Sequence, residues 1–514
     1  MSEHLRALSV ILVLATLVYA FAKAPACAAA SAAADFERRR NLWYALTLAA
    51  FLANDYWIFT GCATVLLLIV GARDPNRVAV FFFVLLAIPP IEVKIPGLGL
   101  IEQLFSITHA RLLAFTLLLP AWLSLRRQPQ TEPFGRTIAD RFVAGYLGLG
   151  VVLNLAAGGS LTNNLRLGVF YPFIDIFLPY YVASRGLTSL RSLRDALMAF
   201  VVAAMVLCPM AAFESVKGWL LYVNLDEALN VPWWSNYLSR GEQLRAQVTA
   251  GHSVPLGYVI ATAIGLTPYL RKLMPPLPWL FGMMVLGVGL LAPLSRGPWV
   301  GVAFMLVAFL AAGPKPMRHL VALGALSLLC LPLLLTPAGQ TALDHLPFVG
   351  SVDSENVTYR QKLLEISSSV IMQRPWFGAF DFYLLPEMQE LKQGQGIIDV
   401  VNTYLNVGLE RGLTGLTLFT GFFIAIAVGL YRSIRSLADH DGEVYLLGQT
   451  LLATLLGVML IIFTVSSISV VAVVYWSIAG ACAAYIRMVA MEQRPAAPAP
   501  AAMPQPALRA GVAR

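Results

Sequence analysis

The sequence has little charge for its length. Asp, Glu, Lys and Arg make up 12% of its 514 residues, hydrophobic residues make up 58%, and the mean hydropathy is +0.72. Soluble domains carry about 25% charged residues, so this composition excludes a soluble globular protein. Helices satisfy their own backbone hydrogen bonds in lipid. The apolar runs approach the roughly 20 residues that a spanning helix needs, which predicts an all-α, polytopic transmembrane helical bundle of about 12–15 helices.

Cysteine is also scarce. The five cysteines are scattered along the chain, and no two of them have the close spacing of metal ligands. Most lie within apolar runs and are therefore interpreted as small core residues, not as a disulfide or zinc framework. The sequence gives no indication of a metal site.

The distribution of the basic residues predicts the topology. The net charge of +8 would suggest nucleic acid in a soluble protein. In a membrane protein, Lys and Arg collect in cytoplasmic loops, so no nucleic-acid partner is expected. Basic clusters mark cytoplasmic loops near 126–141, 185–194, 271–272, 315–318 and 432–435. Counting helices between these clusters assigns three segments to the opposite face, the periplasm in a bacterium: 215–251, 295–298 and 336–411.

The N-terminal runs leave two points open. The run at 5–22 is interpreted as an uncleaved first helix rather than a signal peptide, because many more spans follow. The three arginines at 38–40 also favour the cytoplasm, which requires either an outside N-terminus or a removed first segment. The run at 41–53 is short and either ends at Asn54-Asp55 or merges with the next run. The run at 78–91 is predicted to span.

The chain is predicted to consist of five regions. They are N-terminal transmembrane helices over 1–214, core transmembrane helices with arginine-bearing periplasmic turns over 215–335, a large periplasmic loop with short helices over 336–412, C-terminal transmembrane helices over 413–487, and a cytoplasmic tail over 488–514. The tail is rich in Ala and Pro and is predicted to be disordered.

Three arginines lie on or near the predicted periplasmic face, against the charge bias: Arg245, Arg296 and Arg360. A guanidinium stays charged and offers a planar fork of donors that suits phosphate. Several of them converging at the outer membrane surface would indicate an anionic headgroup, most simply a lipid pyrophosphate. For each one alone, a snorkelling or ion-paired interface residue is the simpler interpretation. Arg166 is an intermediate candidate, and Arg240 is a weaker one.

The segment 351–416 is polar and lies between strongly apolar runs. Its apolar residues over 359–372 have helical spacing, and the Pro-Trp-Phe-Gly sequence at 375–378 should end that helix. A long polar segment of this kind is usually functional or disordered, and the helical spacing favours a folded, functional one. Near its end, Glu410 beside Arg411 forms either an interface ion pair or part of a site.

Three groups of residues, spread over 240–430, together resemble the family of O-antigen ligases and O-antigen polymerases of bacterial inner membranes. They are Arg245 with Gly251-His252 and Pro255-Leu256-Gly257; Ser295-Arg296-Gly297 followed by Trp299; and Arg360, Pro375-Trp376-Phe377-Gly378, Asn402-Thr403-Tyr404-Leu405 and Glu410-Arg411-Gly412-Leu413-Thr414-Gly415-Leu416. The order, spacing and predicted topology of these motifs carry the resemblance, since no single motif is specific.

The resemblance implies a multi-pass inner-membrane glycosyltransferase whose donor is an undecaprenyl-pyrophosphate-linked glycan. It implies no metal and no other cofactor, and it makes a chain-length regulator and other polysaccharide-assembly proteins the expected partners. Arg245, Arg296 and Arg360 would hold the pyrophosphate, with Glu410 and Asp399 as candidates for activating the hydroxyl or binding the acceptor. Substrate contacts are expected from Arg166, His252, Asn402 and Tyr404.

One position departs from the family pattern. Ligases of the family usually have a histidine just before the Asn-x-Tyr-Leu sequence, and here that residue is Val401, which cannot move a proton. Asp399, Glu410 or His252 could move the proton instead, although the simpler interpretation of His252 is that it begins the helix that follows it. The departure favours polymerisation of repeat units into O-antigen or exopolysaccharide over ligation to lipid A-core or protein.

Two rival functions remain open. A transporter or flippase would bind substrate near the bilayer midplane at a broken helix, and Asp175 between Pro172 and Pro179 is the best candidate for such a site. However, no internal repeat is visible, and the polar residues concentrate in the loop. A catalytically inactive assembly partner is the other rival, because of the missing histidine.

Overall fold

The computed structural model describes residues 2–97, 99, 103–232, 237–240, 243–330, 332, 336, 354–392, 396–468 and 470–493. Its α-helices, in chain order, are α1 Glu3–Ala29, α2 Ala33–Leu52, α3 Tyr56–Arg73, α4 Arg77–Val84, α5 His109–Leu113, α6 Leu119–Arg126, α7 Ile138–Ala156, α8 Leu161–Leu165, α9 Leu178–Gly186, α10 Leu190–Lys217, α11 Leu225–Leu229, α12 Ser253–Leu270, α13 Pro276–Leu291, α14 Arg296–Ala311, α15 Pro316–Cys330, α16 Ser354–Gln373, α17 Pro386–Gln389, α18 Thr403–Arg435, α19 Glu443–Ile462 and α20 Val470–Glu492.

Short strands and tighter or wider helical turns complete the described part of the chain. Strands β1 Val93–Pro96 and β2 Gln103–Ile107 pair antiparallel, as do β3 Ser239–Arg240 and β4 Gln243–Leu244. Wider π-turns occur at Ala114–Leu118, Arg166–Phe170 and Phe173–Phe177, and 3₁₀ turns at Val248–Ala250 and Phe382–Leu384.

The described helices form the predicted all-α, polytopic membrane bundle. Among the residues described, nine helices are long and apolar enough to cross a membrane, with three shorter apolar helices beside them: Pro276–Leu291, Arg296–Ala311 and Pro316–Leu329. The run at 78–91 does not form one continuous helix, because α4 ends at Val84 and the chain then turns towards Pro89-Pro90. Proline disfavours helical geometry in the residue before it and cannot donate a helical hydrogen bond.

The short run at 41–53 and the run after it are separate helices. Between them, Asn54 has a left-handed φ of 55°. The Asp55 side chain accepts hydrogen bonds from the backbone N–H groups of Trp57 and Ile58, which caps α3. Asparagine tolerates this backbone region and aspartate is a preferred cap, so the dipeptide itself makes the turn.

One end of the bundle, here called the basic-loop end, is tied together by a buried ion network. Arg39 donates to Asp74 at 2.9 Å and to Asp195 at 2.8 Å, and Ser31 donates to Asp195 at 2.6 Å. Arg194 at the start of α10 pairs with Glu443 at the start of α19. The turn between α1 and α2 therefore lies at this end, and α1 begins at the opposite end.

At the opposite end, here called the site end, lie the termini of the helices that carry the sequence motifs. The starts of α12, α14 and α18 meet the end of α19 there, and small residues let these helices approach closely. A Cβ on Gly301 would lie 2.2 Å from Ile461, and one on Gly457 would lie 2.1 Å from Met305. A side chain at either glycine would push α14 away from α19.

Candidate functional site at the site end of the bundle

The first wall of the site is the segment that leads into α12. Its backbone is held by the buried carboxylate of Glu214 in the last turn of α10, which accepts hydrogen bonds from the N–H groups of Leu221 at 2.9 Å, Gln247 at 2.8 Å and Val248 at 3.0 Å. Glu214 is 1% exposed. Because Gln247 and Val248 lie between Arg245 and the start of α12, Glu214 determines where that stretch of backbone sits.

The segment contains two strained backbone positions, which shows how tightly it is held. Val248 has a φ of 46° and Gly251 one of 72°, and a β-branched residue with positive φ is a genuine outlier. The hydroxyl of Thr249 donates to the carbonyl of Leu86 at 2.7 Å. His252 follows in extended conformation and caps α12, its Nδ1 accepting from the N–H of Val254 at 3.4 Å.

The second wall is the turn between α13 and α14, the Ser-Arg-Gly motif of the sequence. Arg245 donates to the Pro293 carbonyl at 3.2 Å and to Ser295 Oγ at 3.1 Å. Arg240 donates to the Leu294 carbonyl, and Trp299 closes the turn by donating from Nε1 to the Leu290 carbonyl at 2.9 Å. The motif therefore docks the first wall on the second and places Arg296 directly beside Ser295.

The third wall comes from the large loop and the turn between α19 and α20. Arg360 on α16 reaches the carbonyl of Thr464 at 3.5 Å, and Ser466 donates to Asp399 Oδ1 at 2.9 Å. Tyr359 donates to the Asp399 carbonyl at 2.9 Å. The second and third walls meet here, since a Cβ on Gly297 would lie 2.3 Å from Thr464 Oγ1.

Electrostatic interactions join the walls. Burial and the charge of Arg245 lower the pKa of His252, and the carboxylate of Asp399 opposes this shift. Partial desolvation lowers the pKa of the Arg360 guanidinium, and Asp399 again opposes the shift. Asp399 thus acts on both a residue of the first wall and one of the third. The segments that carry Arg245, Arg296, Arg360, His252 and Asp399 therefore meet at one place.

Two predicted substrate contacts have structural partners in the described protein. The side chain of Asn402 accepts from the N–H groups of Tyr404 at 2.9 Å and Leu405 at 3.2 Å, so it caps α18. The Tyr404 hydroxyl donates to the Met459 carbonyl at 3.0 Å, and its ring packs against Phe419. Both residues fix how the chain re-enters the bundle beneath Asp399.

Glu410 and Arg411 lie two turns along α18 and contact a different helix. The buried Arg411 donates to the Tyr146 carbonyl on α7 at 3.1 Å and stacks over the Tyr146 ring at 4.1 Å. Glu410 accepts from Asn406 at 2.9 Å and is near enough to act electrostatically on Tyr146. Among the described contacts, this pair anchors α18 on α7, away from the arginine cluster.

The Pro-Trp-Phe-Gly and Glu-Arg-Gly motifs form a backbone lock between the loop and α18. Leu413 donates to the Pro375 carbonyl at 2.6 Å, and Ala379 donates to the Leu409 carbonyl at 2.8 Å. A Cβ on Gly412 would lie 2.5 Å from Trp376 backbone, and one on Gly378 would lie 2.4 Å from the Leu409 carbonyl oxygen. Both glycines have a φ above 60°, so only glycine suits these positions.

Arg166 and Asp175 lie in the broken helical span between residues 161 and 186. Arg166 donates to the Asn163 side chain at 2.6 Å and to the Gln103 carbonyl on β2. Asp175 forms an ion pair with Arg111 at 2.9 Å. The guanidinium of Arg111 also stacks over the Tyr171 ring, 3.7 Å from its centroid. The described contacts tie these residues to the β1–β2 hairpin and α5, and none of them reaches the arginine cluster.

Sequence reasoning missed Glu214 and the serine that orients Asp399. A single carboxylate just beyond an apolar run was a visible sign at Glu214, because an acidic group at a span terminus needs partners. Ser466 carries no such sign, since its role depends on the turn between α19 and α20 returning to the loop.

The assembled site combines features that phosphate-leaving chemistry needs. Guanidinium groups can stabilise an anion that develops in a site partly shielded from water. The carboxylate of Asp399, oriented by the Ser466 hydroxyl, can accept a proton. The neutral imidazole of His252 has one acceptor nitrogen, and because Nδ1 accepts from the N–H of Val254, it can take a proton only by giving up that hydrogen bond.

The comparisons with known proteins agree with the motif analysis. Residues 281–420, which are 140 of the 514 residues, match the family model described as O-Antigen ligase. No curated protein matches the chain. The matched segment runs from α13 through the Ser-Arg-Gly turn and the loop into α18, and it contains Arg296, Arg360 and Asp399. The chain thus carries a domain of the O-antigen ligase family, and the resemblance inferred from its motifs is confirmed.

Proposed function

We propose that the protein is a glycosyltransferase of the bacterial inner membrane that polymerises undecaprenyl-pyrophosphate-linked repeat units into O-antigen or exopolysaccharide on the periplasmic face. The observation that carries the proposal is that the segments bearing Arg245, Arg296 and Arg360 meet beside His252 and Asp399 at one end of a membrane bundle. That end is opposite to the basic-loop end, which the charge bias assigns to the cytoplasm.

In the proposed reaction, the three arginines bind the pyrophosphate of the donor. The hydroxyl oxygen of the acceptor sugar forms a bond to the anomeric carbon of the donor, and the bond from that carbon to the pyrophosphate oxygen breaks. The electron pair leaves with the lipid pyrophosphate, where guanidinium charge stabilises it. The hydroxyl proton passes to His252 or Asp399. A positioned base contributes about 10²–10⁴-fold to such a step.

The decisive experiment replaces Arg245, Arg296 and Arg360 together by alanine in a cell that lacks the native gene. We expect the surface polymer to disappear from a gel of extracted glycans while the protein still accumulates in the membrane. The matched control replaces three exposed arginines at the basic-loop end, Arg127, Arg136 and Arg141, and should leave the polymer unchanged. Normal polymer from the first variant would contradict the proposal.

Ligation is the second candidate, and the description of the matching family model favours it. It shares the donor and the arginines with polymerisation, so the glycans of a deletion strain must separate the two. Single-repeat glycans on the acceptor would support polymerisation, whereas long lipid-linked chains that are not attached would support ligation. Loss of every periplasmic intermediate would instead support a flippase.

A further inference from the structure

An open cleft lies beside the arginine cluster, outside the spanning helices. It has a volume of about 440 Å³. One side consists of the loop segment from Phe382 to Lys392, and the other consists of residues 396–400 and the turn at 466–468. A volume of this size lies in the lower half of the range of small-molecule sites, roughly 300–1,000 Å³, so a ligand of about two rings could occupy it.

The lining of the cleft combines polar groups with aromatic and aliphatic side chains. Gln389, Asn406 and Ser467 present amide and hydroxyl groups, and Lys392 adds a positive charge. The side chain of Tyr383 is 49% exposed and offers a flat apolar face with a polar tip. Donors and acceptors placed around an aromatic face suit a saccharide, whose rings have apolar C–H faces and hydroxyl edges. An isoprenoid tail would be suited to an apolar groove between helices instead.

Asp399 connects the cleft with the arginine cluster. Its side chain lines the cleft, together with Ser466, which donates to its Oδ1 at 2.9 Å. The same carboxylate acts electrostatically on His252 and Arg360, and the backbone carbonyl of Asp399 accepts at 2.9 Å from Tyr359, the neighbour of Arg360. A saccharide that fills the cleft therefore ends at the carboxylate that borders the proposed pyrophosphate site.

We propose that this cleft binds the acceptor oligosaccharide, an inference that rests on the proposed function and assigns it a second substrate site. The bound chain presents one terminal hydroxyl at Asp399. That oxygen bonds to the anomeric carbon of the donor, its proton leaves to Asp399 or His252, and the lipid pyrophosphate departs towards the arginines. Chain growth depends on the cleft because the acceptor must remain aligned through each transfer.

The test combines Tyr383→Leu, which removes the aromatic ring but keeps apolar bulk, with Lys392→Ala. The matched control combines Trp376→Leu with Lys362→Ala, an exposed aromatic residue and an exposed lysine of the same loop that do not line the cleft. We expect the cleft variant to lose the long chains on a glycan gel and to leave one to a few repeats. The control should keep the native length distribution, with both proteins at wild-type level in the membrane.

A binding measurement separates failure of this inference from failure of the proposed function. The probe is the repeat-unit oligosaccharide released from the cell's own surface polymer, added to the purified full-length protein. The arginine triple variant should bind this probe like the wild type, and the cleft variant should bind it at least tenfold more weakly. An inactive arginine variant together with equal binding and native chain length for the cleft variant would overturn only the cleft. An active arginine variant would overturn the proposed function.

Discussion

The two ends of the bundle use arginine in opposite ways. At the basic-loop end, Arg39 is 1% exposed and is held by two aspartates, each within 2.9 Å. At the site end, Arg245 and Arg296 are half-buried and Arg360 is exposed, and Arg245 donates to a carbonyl and to a hydroxyl. The first arrangement neutralises the guanidinium inside the protein, whereas the second leaves each arginine partly exposed at the surface.

This difference separates arginines that stabilise the fold from arginines that can bind a ligand. Removing one member of a buried ion pair leaves the other charge in the protein interior without a partner. Removing an accessible charge costs little, because water replaces the lost contact. Sequence position alone does not distinguish the two kinds. Arg39 lies in a run of three arginines that suggests only a cytoplasmic loop.

The largest expected effect is at the basic-loop end. Arg39→Ala leaves Asp195 buried without its cation and leaves Asp74 with only the more distant Arg38, at 3.7 Å, which should destabilise the protein by about 3–5 kcal/mol. We expect the variant to fail to accumulate in the membrane, as measured by immunoblot. The neighbouring Arg40→Ala is the control, since Arg40 bonds only to the adjacent Asn41 among the described contacts, and it should accumulate normally. Normal accumulation of the Arg39 variant would contradict the interpretation that arginine at the basic-loop end stabilises the fold.

The next effect concerns His252 and tests whether it moves a proton or only caps α12. Asparagine is a preferred cap, so His252→Asn should keep the helix start. If His252 is the base, the transfer rate should fall by about 10²–10⁴-fold. An unchanged rate would leave Asp399 as the base.

The pH dependence of the activity tests the same role of His252. The pKa of His252 is lowered in the folded protein, so the imidazole stays neutral at pH 7 and protonates only below its ordinary value of about 6.5. Activity in a reconstituted assay should therefore persist through pH 6.5 and fall as pH decreases through the lowered pKa. An acid limb above pH 7 would contradict this role.

Substitution of Glu214 should have a smaller effect, which is transmitted to the site through the backbone segment that Glu214 holds. Glu214→Gln keeps the size of the side chain but replaces one acceptor oxygen by a donor, so at least one of the N–H groups of Leu221, Gln247 and Val248 loses its partner at about 1–3 kcal/mol. We expect a weaker apparent affinity for the donor, measured as a higher KM, with normal accumulation. Glu227→Gln, at an exposed position near this segment, is the control. An unchanged KM would show that Arg245 is positioned without Glu214.

The smallest expected effect is at the backbone lock. Gly412→Ala forces a side chain into a left-handed position and against the Trp376 backbone, which should cost about 1–3 kcal/mol in strain. A lower midpoint of thermal unfolding in detergent would report it. The control is Gly148→Ala on α7, where an added Cβ would have no neighbouring atom within 4 Å. Equal midpoints would mean that the loop is not fixed by this contact.

Much of the architecture could be predicted from patterns that act locally. Apolar runs predicted the membrane bundle because a spanning segment must hide its own backbone groups, and Asn54-Asp55 made a turn by its own side-chain chemistry. The prediction of a span at 78–91 was wrong, since hydropathy does not register where prolines end a helix. The placement of Arg245 and Arg296 at the end opposite to the basic loops could also be anticipated from the charge bias.

The role of individual polar residues could not be read in the same way. Asn402 was predicted to contact substrate, but in the structure its oxygen accepts the N–H groups at the start of α18. A cap and a ligand contact both require an exposed acceptor before a helix, so the two have the same sequence pattern. Glu410 likewise accepts a hydrogen bond from Asn406 on its own helix, and its neighbour Arg411 contacts α7.

By itself, the sequence determined that the chain lives in a membrane, which end of the bundle carries accessible arginines, and which family its loop belongs to. These properties follow from hydropathy, charge bias and motif order, which can be read along the chain without knowing how it folds. Only the tertiary structure decided that Asp399 stands between the arginines and the cleft, and that Glu214 holds the Arg245 segment. Those contacts join residues 33 or more positions apart, and their geometry exists only once the helices have packed.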